Sequence, residues 1–352
     1  MPAALPSDGS LAAPFVRLDA ERAVAIAREL FGVDVTGAQR LDTERDDTFL
    51  VRGHSGAFVL KVAHPVDDPA VIDLQSRALG HASRADPALP LPRLVASRSG
   101  ALQPVVRGAE SEPRVARLLT YLPGRTLDYG ATTASQRRAI GAAVARLSWA
   151  LRDFDHPSAG RVLAWDLQRL GTLRPLLPHV PHGAPRDLAA AELDRFDEHV
   201  GADLAETRQQ VVHQDVNADN LLVDASADGF VTGILDFGDV VRSSVVGDLA
   251  VAMSYAVGAG GSLERGAVEV WDAPYDLARG FEEVRPLTAP ERRLLPSLVR
   301  ARLAQRLILN SWLAAADPAN AAYTLRSIDQ AARSLARLAS TPPPRWGAGD
   351  LT

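Results

Sequence analysis

Between Val211 and Asp239 the chain carries two apolar runs around a turn, with acidic and amide residues at their outer ends. The turn is Ala227-Asp228-Gly229, the composition of a three-residue hairpin loop with glycine in its left-handed position. Folding there pairs Ser226 with Phe230 and Leu222 with Ile234. It also brings Asn220 opposite Asp236, to within a residue if the loop carries a bulge. Directly opposed side chains share a face about 5 Å apart. An amide oxygen and a carboxylate so placed can hold a hard cation such as Mg2+, with waters and phosphate oxygens as its other ligands. Asp215 stands five residues before Asn220 on a loop leaving a short strand, beside that pair. A carboxylate there can accept a hydroxyl proton and orient the attacking oxygen.

Each of these residues alone has an ordinary explanation. Asp215 reads as a turn aspartate, Asn220 as a turn or cap residue, and Asp236-Phe237-Gly238 as a strand end. Their joint spacing carries the weight, together with one lysine far upstream. Of the 38 basic residues, all but Lys61 are arginine. A base-composition bias explains the arginines, and the single exception points to a place that needs a compact point charge.

The remaining composition narrows the class. The chain has 352 residues, room for one large or two ordinary domains, and is 47% hydrophobic and 23% charged, as globular proteins are. Without cysteine there is no disulfide framework and no thiolate metal site. No apolar window approaches the length of a membrane span, and residues 1–14 read as a loose tail rather than a secretion signal. A net charge of −5 argues against nucleic acid as the main partner. A cytoplasmic enzyme with no membrane partner is the expectation.

Asp19 caps a predicted helix running to about Leu30 and closed by Gly32. Strands follow at Val33–Leu41, Thr48–Arg52 and Ala57–Ala63, the last two joined by Gly53-His54-Ser55-Gly56 with Lys61 near the hairpin's end. Pro69–His81 reads as helix, and Val115–Leu122 as a strand stopped by Pro123-Gly124. Beyond Gly124 the periodicity turns helical. Ile140, Val144, Leu147, Leu151 and Phe154 form one apolar stripe, Leu295, Val299, Leu303 and Leu307 another, and a final helix spans Ala321–Ala339 before Pro342-Pro343-Pro344. The expected architecture is α+β and two-lobed: a small antiparallel β lobe over residues 15–122 and a larger, mainly helical lobe over 123–341, with ligands in the cleft between them.

The spacing His213-x-Asp215-x4-Asn220, followed by Asp236-Phe237-Gly238, resembles the catalytic loop and metal motif of the aminoglycoside phosphotransferase and choline kinase superfamily, which has a protein-kinase-like fold. The resemblance covers nearly the whole chain. Leu235-Asp236-Phe237-Gly238-Asp239, Trp165-Asp166-Leu167 and Gly247-Asp248-Leu249-Ala250 are most similar to the hydroxylysine kinase-like branch. It implies that Asp215 is the catalytic base, that Asn220 and Asp236 bind Mg2+, and that Lys61 holds the phosphates of ATP or GTP. Gln75, Thr120 and Leu122 complete the implied nucleotide contacts. Two departures stand out. No Gly-rich loop precedes Lys61, only Asp42-Thr43-Glu44-Arg45-Asp46-Asp47. Where a partner glutamate for Lys61 is expected, the chain has Gln75, with Asp73 close by, so a hydrogen bond replaces a salt bridge.

The implied reaction is Mg2+-dependent transfer of the γ-phosphate to a hydroxyl of a small amine-bearing acceptor, a hydroxylated amine or amino acid. An antibiotic O-phosphotransferase is the alternative, and a nucleotide-binding pseudokinase the rival from another class. Other residues keep two readings each. Asn217 contacts substrate or phosphate, or serves the turn. Asp239 meets an acceptor ammonium, or caps a turn and pairs with Arg242. Arg302 and Arg306, four apart beside an apolar stripe, bind a carboxylate-bearing substrate or form structural ion pairs. His213 braces the loop, Asp248 caps a helix or ties back to the loop, and Trp165 belongs to the core or walls the substrate.

Overall fold

A computed structural model of the chain describes residues 16–41, 46–107, 112–259, 269–318 and 321–343. The expected tail over residues 1–14, the segment Asp42–Arg45 and Pro344 lie outside the described residues.

Ala20–Phe31 is helical as its caps require: the Asp19 carboxylate accepts from the Arg22 amide, and Gly32 ends the helix at φ 71°. The strands β1 (Gly37–Leu41), β2 (Asp47–Gly53), β3 (Gly56–Val62), β4 (Leu94–Val95), β5 (Val105–Val106) and β6 (Arg114–Thr120) follow. Their sheet runs β1-β2-β3-β6-β4, with β5 also on β6, and every pairing is antiparallel. The β2–β3 hairpin turns between Gly53 and Gly56 as expected, and Lys61 stands between Thr48 on β2 and Arg117 on β6. Strand β6 stops at Thr120, so Leu122 falls outside it.

One face of the sheet buries Phe49, Val51, Leu60, Val62, Ala116 and Leu118 against Ala23, Ile26, Ala27 and Phe31 of the first helix. The helix Pro69–Ala85 belongs elsewhere. Its Leu74, Ala78, Leu79 and Ala82, with Leu89 and Leu91, share the larger core with Ile140, Val144 and Leu147 of the helix Ala134–Ala150. The larger core therefore takes in a helix that precedes residue 122.

The later part is mainly helical. Helices Ala134–Ala150 and Asp272–Val284 cross at contact distance, because a Cβ on Gly141 would lie 1.9 Å from the Leu277 carbonyl oxygen and one on Gly280 1.9 Å from that of Arg138. The helix Ala289–Ala316 runs through this core, started by a capping box between Thr288 and Glu291. The expected final helix is two pieces, Ala321–Leu325 and Ile328–Ser340. Short strands β7 (Arg125–Thr126), β8 (Gln209–Val212), β9 (Leu221–Val223), β10 (Val231–Ile234) and β11 (Val241–Ser244) lie among the helices; β9 pairs with β10 and β7, and β8 with β11. No helix among the described residues is long and apolar enough to cross a membrane.

The hairpin forms one residue away from the simplest register. Leu221 pairs with Ile234 and Leu222 with Gly233, and the register slips between Val231 and Gly233. Ser226 does not pair with Phe230; the connection is longer, with the Asp224 amide donating to the Phe230 carbonyl. The left-handed residue is Phe230, at φ 60°, rather than Gly229. Asn220 thus faces Leu235, whose amide donates to the Asn220 carbonyl at 2.8 Å. Asp236 follows in the left-handed region at φ 56°, a sharp turn that swings its carboxylate out of the strand's alternation.

Candidate active site

Strand β8 delivers a loop held by two buried groups. The amides of His213 and Gln214 donate to the two carboxylate oxygens of Asp248, at 3.1 and 2.6 Å. Asp248 therefore ties back to the loop, in the first turn of the helix Val245–Ala256. Burial pushes its carboxyl up to about 6, and the two amide bonds pull the other way. Gln214 bends the chain at φ 65°.

His213 is fully buried, and burial lowers its imidazole to about 4, so it is neutral near pH 7. Its Nδ1 accepts from the Asp215 amide at 3.3 Å, which leaves Nε2–H to donate to the Leu235 carbonyl at 3.0 Å. Its ring meets Phe237 edge-on at 4.8 Å between centroids. The histidine is a brace joining the loop to the end of the hairpin.

Asp215 sits where three donors converge. Oδ1 accepts from Asn217 Nδ2 at 2.8 Å and from an Arg302 Nη at 3.3 Å, while Oδ2 accepts from Asn220 Nδ2 at 2.7 Å. Burial, reinforced by the nearby Asp239 carboxylate, pushes the Asp215 carboxyl well above its ordinary range, and Arg302 opposes the rise. Asn217 is consumed by the turn: its Oδ1 accepts from the Asp219 and Asn220 amides at 2.8 and 3.1 Å. These bonds support the turn role of Asn217.

Across the site, Lys61 Nζ reaches Asp236 Oδ2 at 3.3 Å. The ammonium is the chief cause that holds the Asp236 carboxyl at about 2. Gln75 does not orient Lys61. Its Oε1 accepts from Arg117 at 2.8 Å, and its Nε2 donates to the Gly238 carbonyl at 3.3 Å, so it links strand β6 to the loop after Asp236. Asp73 pairs with Arg77 and His156. Thr120 closes β6 with its hydroxyl oxygen accepting from the Arg93 amide at 2.9 Å, and Leu122 stands half-buried just beyond.

Asp239 does not pair with Arg242, which binds Asp155 at 2.5 Å. Asp239 is half-buried. Burial raises its carboxyl, and Arg161 and Arg302 are the cations that offset this. Arg161 also clasps the turn, donating to the Gly238 and Val240 carbonyls at 2.5 and 3.1 Å. Arg302 lies over the Trp165 ring at 4.8 Å and donates to the Trp165 carbonyl at 2.9 Å. Trp165 thus packs against the larger core and supports Arg302.

Sequence reasoning missed Arg161, Arg117 and the bond from Arg302 to Asp215. Only Arg302 left a signal, as half of a charged pair interrupting a buried helical face. Among the described residues no group of three or more His, Cys, Asp or Glu can hold a metal ion. The donor set that remains is Asn220 Oδ1, since its Nδ2 is committed to Asp215, and the Lys61-paired Asp236 carboxylate. Two oxygen donors of this kind suit a hard divalent cation that takes its other ligands from waters and phosphate oxygens.

The fold is the two-lobed one of protein-kinase-like phosphotransferases. An amicoumacin kinase, solved with AMP-PNP and Ca2+, superposes with a TM-score of 0.67 at 14% identity over 93% of this chain and 95% of its own. A microcompartment-associated aminopropanol kinase superposes at 0.60, with 21% identity over 90% and 94%. The chain belongs to the phosphotransferase enzyme family, whose model matches residues 38–287. Hydroxylysine kinase of Mus musculus is 28% identical over 86% of this chain and 85% of its own length.

Proposed function

We propose that this enzyme transfers the γ-phosphate of ATP or GTP to a hydroxyl of a small hydroxylated amine or amino acid, hydroxylysine-like, with Mg2+. The observation that carries the reading is the meeting of four residues from three separate segments: Lys61 pairs with Asp236 at 3.3 Å, and Asn220 bonds Asp215 at 2.7 Å. The nucleotide is held by the 15–122 part, with Lys61 on its phosphates and Thr120 and Leu122 at the hinge. The acceptor lies against the 123–341 part.

Asn220 and Asp236 hold the Mg2+, which when bound offsets phosphate charge. The acceptor oxygen forms its bond to the γ-phosphorus as the bond to the departing nucleoside diphosphate breaks, and the hydroxyl proton passes to Asp215. An elevated proton affinity suits that last step, and the Arg302 guanidinium opposes the rise. Lys61 neutralises charge without covalent work, so rate comes from positioning. Asp239, half-buried beside Asp215, suits an acceptor ammonium. The setting is cytoplasmic and the partner a small molecule. The antibiotic reading has support from fold neighbours alone, and a pseudokinase does not need all four residues in place.

The test is a panel of hydroxylated amino acids, amino alcohols and aminoglycosides with ATP and GTP, read as phosphorylated product. Transfer to the amine-bearing acids or alcohols is expected. Efficient transfer to aminoglycosides alone, or to neutral sugars, refutes the acceptor class, and no transfer to anything refutes the kinase.

A further inference from the structure

Arg306 has hydrogen-bond donors to give and no acceptor among the described residues to take them. It lies one turn beyond Arg302 on the helix Ala289–Ala316 and is 1% exposed. A guanidinium carries five N–H donors, yet Nε, Nη1 and Nη2 of Arg306 all lack a hydrogen-bond partner. Its flat face is occupied, lying 3.9 Å from the centroid of the Tyr255 ring. Such stacking satisfies the cation's face and leaves its edge donors unmet. A buried charge with unmet donors is costly, and proteins normally pair it.

Its neighbours are committed. Arg302 spends its terminal nitrogens on the Trp165 carbonyl, Gln305 and Asp215, and only its Nε is unmet. Arg326 pairs with Asp219 at 2.8 Å. The position of Arg306 is equally specific. It stands near enough to Asp215 and Arg302 to feel their charges. Arg302 reaches Asp215 through Oδ1, whereas Asn220, on the metal side, holds Oδ2. The helix thus approaches the catalytic carboxylate from the side away from the metal, where an acceptor must enter.

We infer that Arg306, aided by the Nε of Arg302, binds a carboxylate of the acceptor, which is therefore a hydroxylated amino acid and neither a simple amino alcohol nor an aminoglycoside. This rests on the phosphotransferase reading and names its acceptor more narrowly. A zwitterion matches what the site offers: Asp239 for an ammonium, and an uncommitted guanidinium for the acid. The Arg306 nitrogens are buried, where charge-assisted bonds are strongest and bidentate geometry selects a carboxylate.

Hydroxylysine and hydroxylysinamide test this directly, since they differ only in replacing the carboxylate by a neutral amide. Binding is measured by calorimetry with AMP-PNP and Mg2+ present, and KM separately with ATP. The wild-type enzyme is expected to prefer the acid by about tenfold or more in both, as a hydrogen bond to a charged group allows. In Arg306→Gln that preference collapses, and Arg306→Lys, which retains a charge without the fork, keeps part of it. Equal affinity for acid and amide in the wild-type enzyme overturns the inference. So does parallel loss of both in Arg306→Gln, the mark of a merely structural arginine. Binding is read without turnover, so preference for the acid without phosphate transfer sinks the kinase reading and not this one. Transfer without preference does the reverse.

Discussion

Replacing Asp248 by alanine removes one side chain that does not touch the reacting groups and disconnects the loop that carries Asp215. The carboxylate accepts from the His213 and Gln214 amides, at 3.1 and 2.6 Å, and both residues are fully buried. The substitution strands two backbone donors at about 1–3 kcal/mol each, so roughly 2–6 kcal/mol in a dry site. Water entering the vacated volume brings the loss toward the lower end. Unfolding should therefore shift down by several degrees in a thermal melt. Because Asp215 follows Gln214 immediately and its amide bonds to His213, kcat should fall by about tenfold or more while nucleotide KM barely moves. Asp248→Asn should lose less, since it keeps one acceptor and relieves a buried charge. The pH dependence offers an internal check. With its carboxyl raised from 3.8 to about 6, Asp248 binds its proton more tightly folded than unfolded, so its contribution to stability is fully present below 3.8 and is lost as pH rises through about 6. Asp248→Asn should flatten that slope in melts across the window. An Asp248→Ala enzyme with unchanged melting and unchanged kcat would refute the reasoning.

Three further outcomes follow from the same geometry. Lys61→Arg should lower kcat/KM by about tenfold or more in steady-state assays, because the planar guanidinium cannot occupy the point-charge position beside Asp236; near-normal kinetics would mean that the lone lysine is an accident of composition. Asp215→Asn should reduce kcat by about 10²–10⁴-fold with nucleotide affinity, measured by calorimetry, little changed. Gln75→Ala cuts the link from Arg117 to the Gly238 carbonyl, so the Mg2+ concentration for half-maximal rate should rise while the melting temperature stays close to wild type; an unchanged metal requirement would show that the link does not position Asp236.

Local chemistry is legible without coordinates. The cap at Asp19, the closing Gly32, the Gly53–Gly56 turn and the helical stripes are dictated by dihedral preference and periodicity within a few residues, and they form as read. The spacing of Asp215, Asn220 and Asp236 was readable for the same reason, since a hairpin converts sequence distance into spatial distance. Where that conversion depends on a bulge, sequence places Asn220 only to within a residue of Asp236: the bulge forms, Asn220 faces Leu235, and the positive φ of Asp236 aims its carboxylate. Partners far apart in the chain were beyond reach. Gln75 turns to Arg117 and Gly238 instead of Lys61, Asp239 faces Arg161 instead of Arg242, and a helix near residue 302 supplies the guanidinium on Asp215. These are choices among many arginines of similar chemistry, and only packing, which decides the arginines that are buried and the side from which they approach, selects between them.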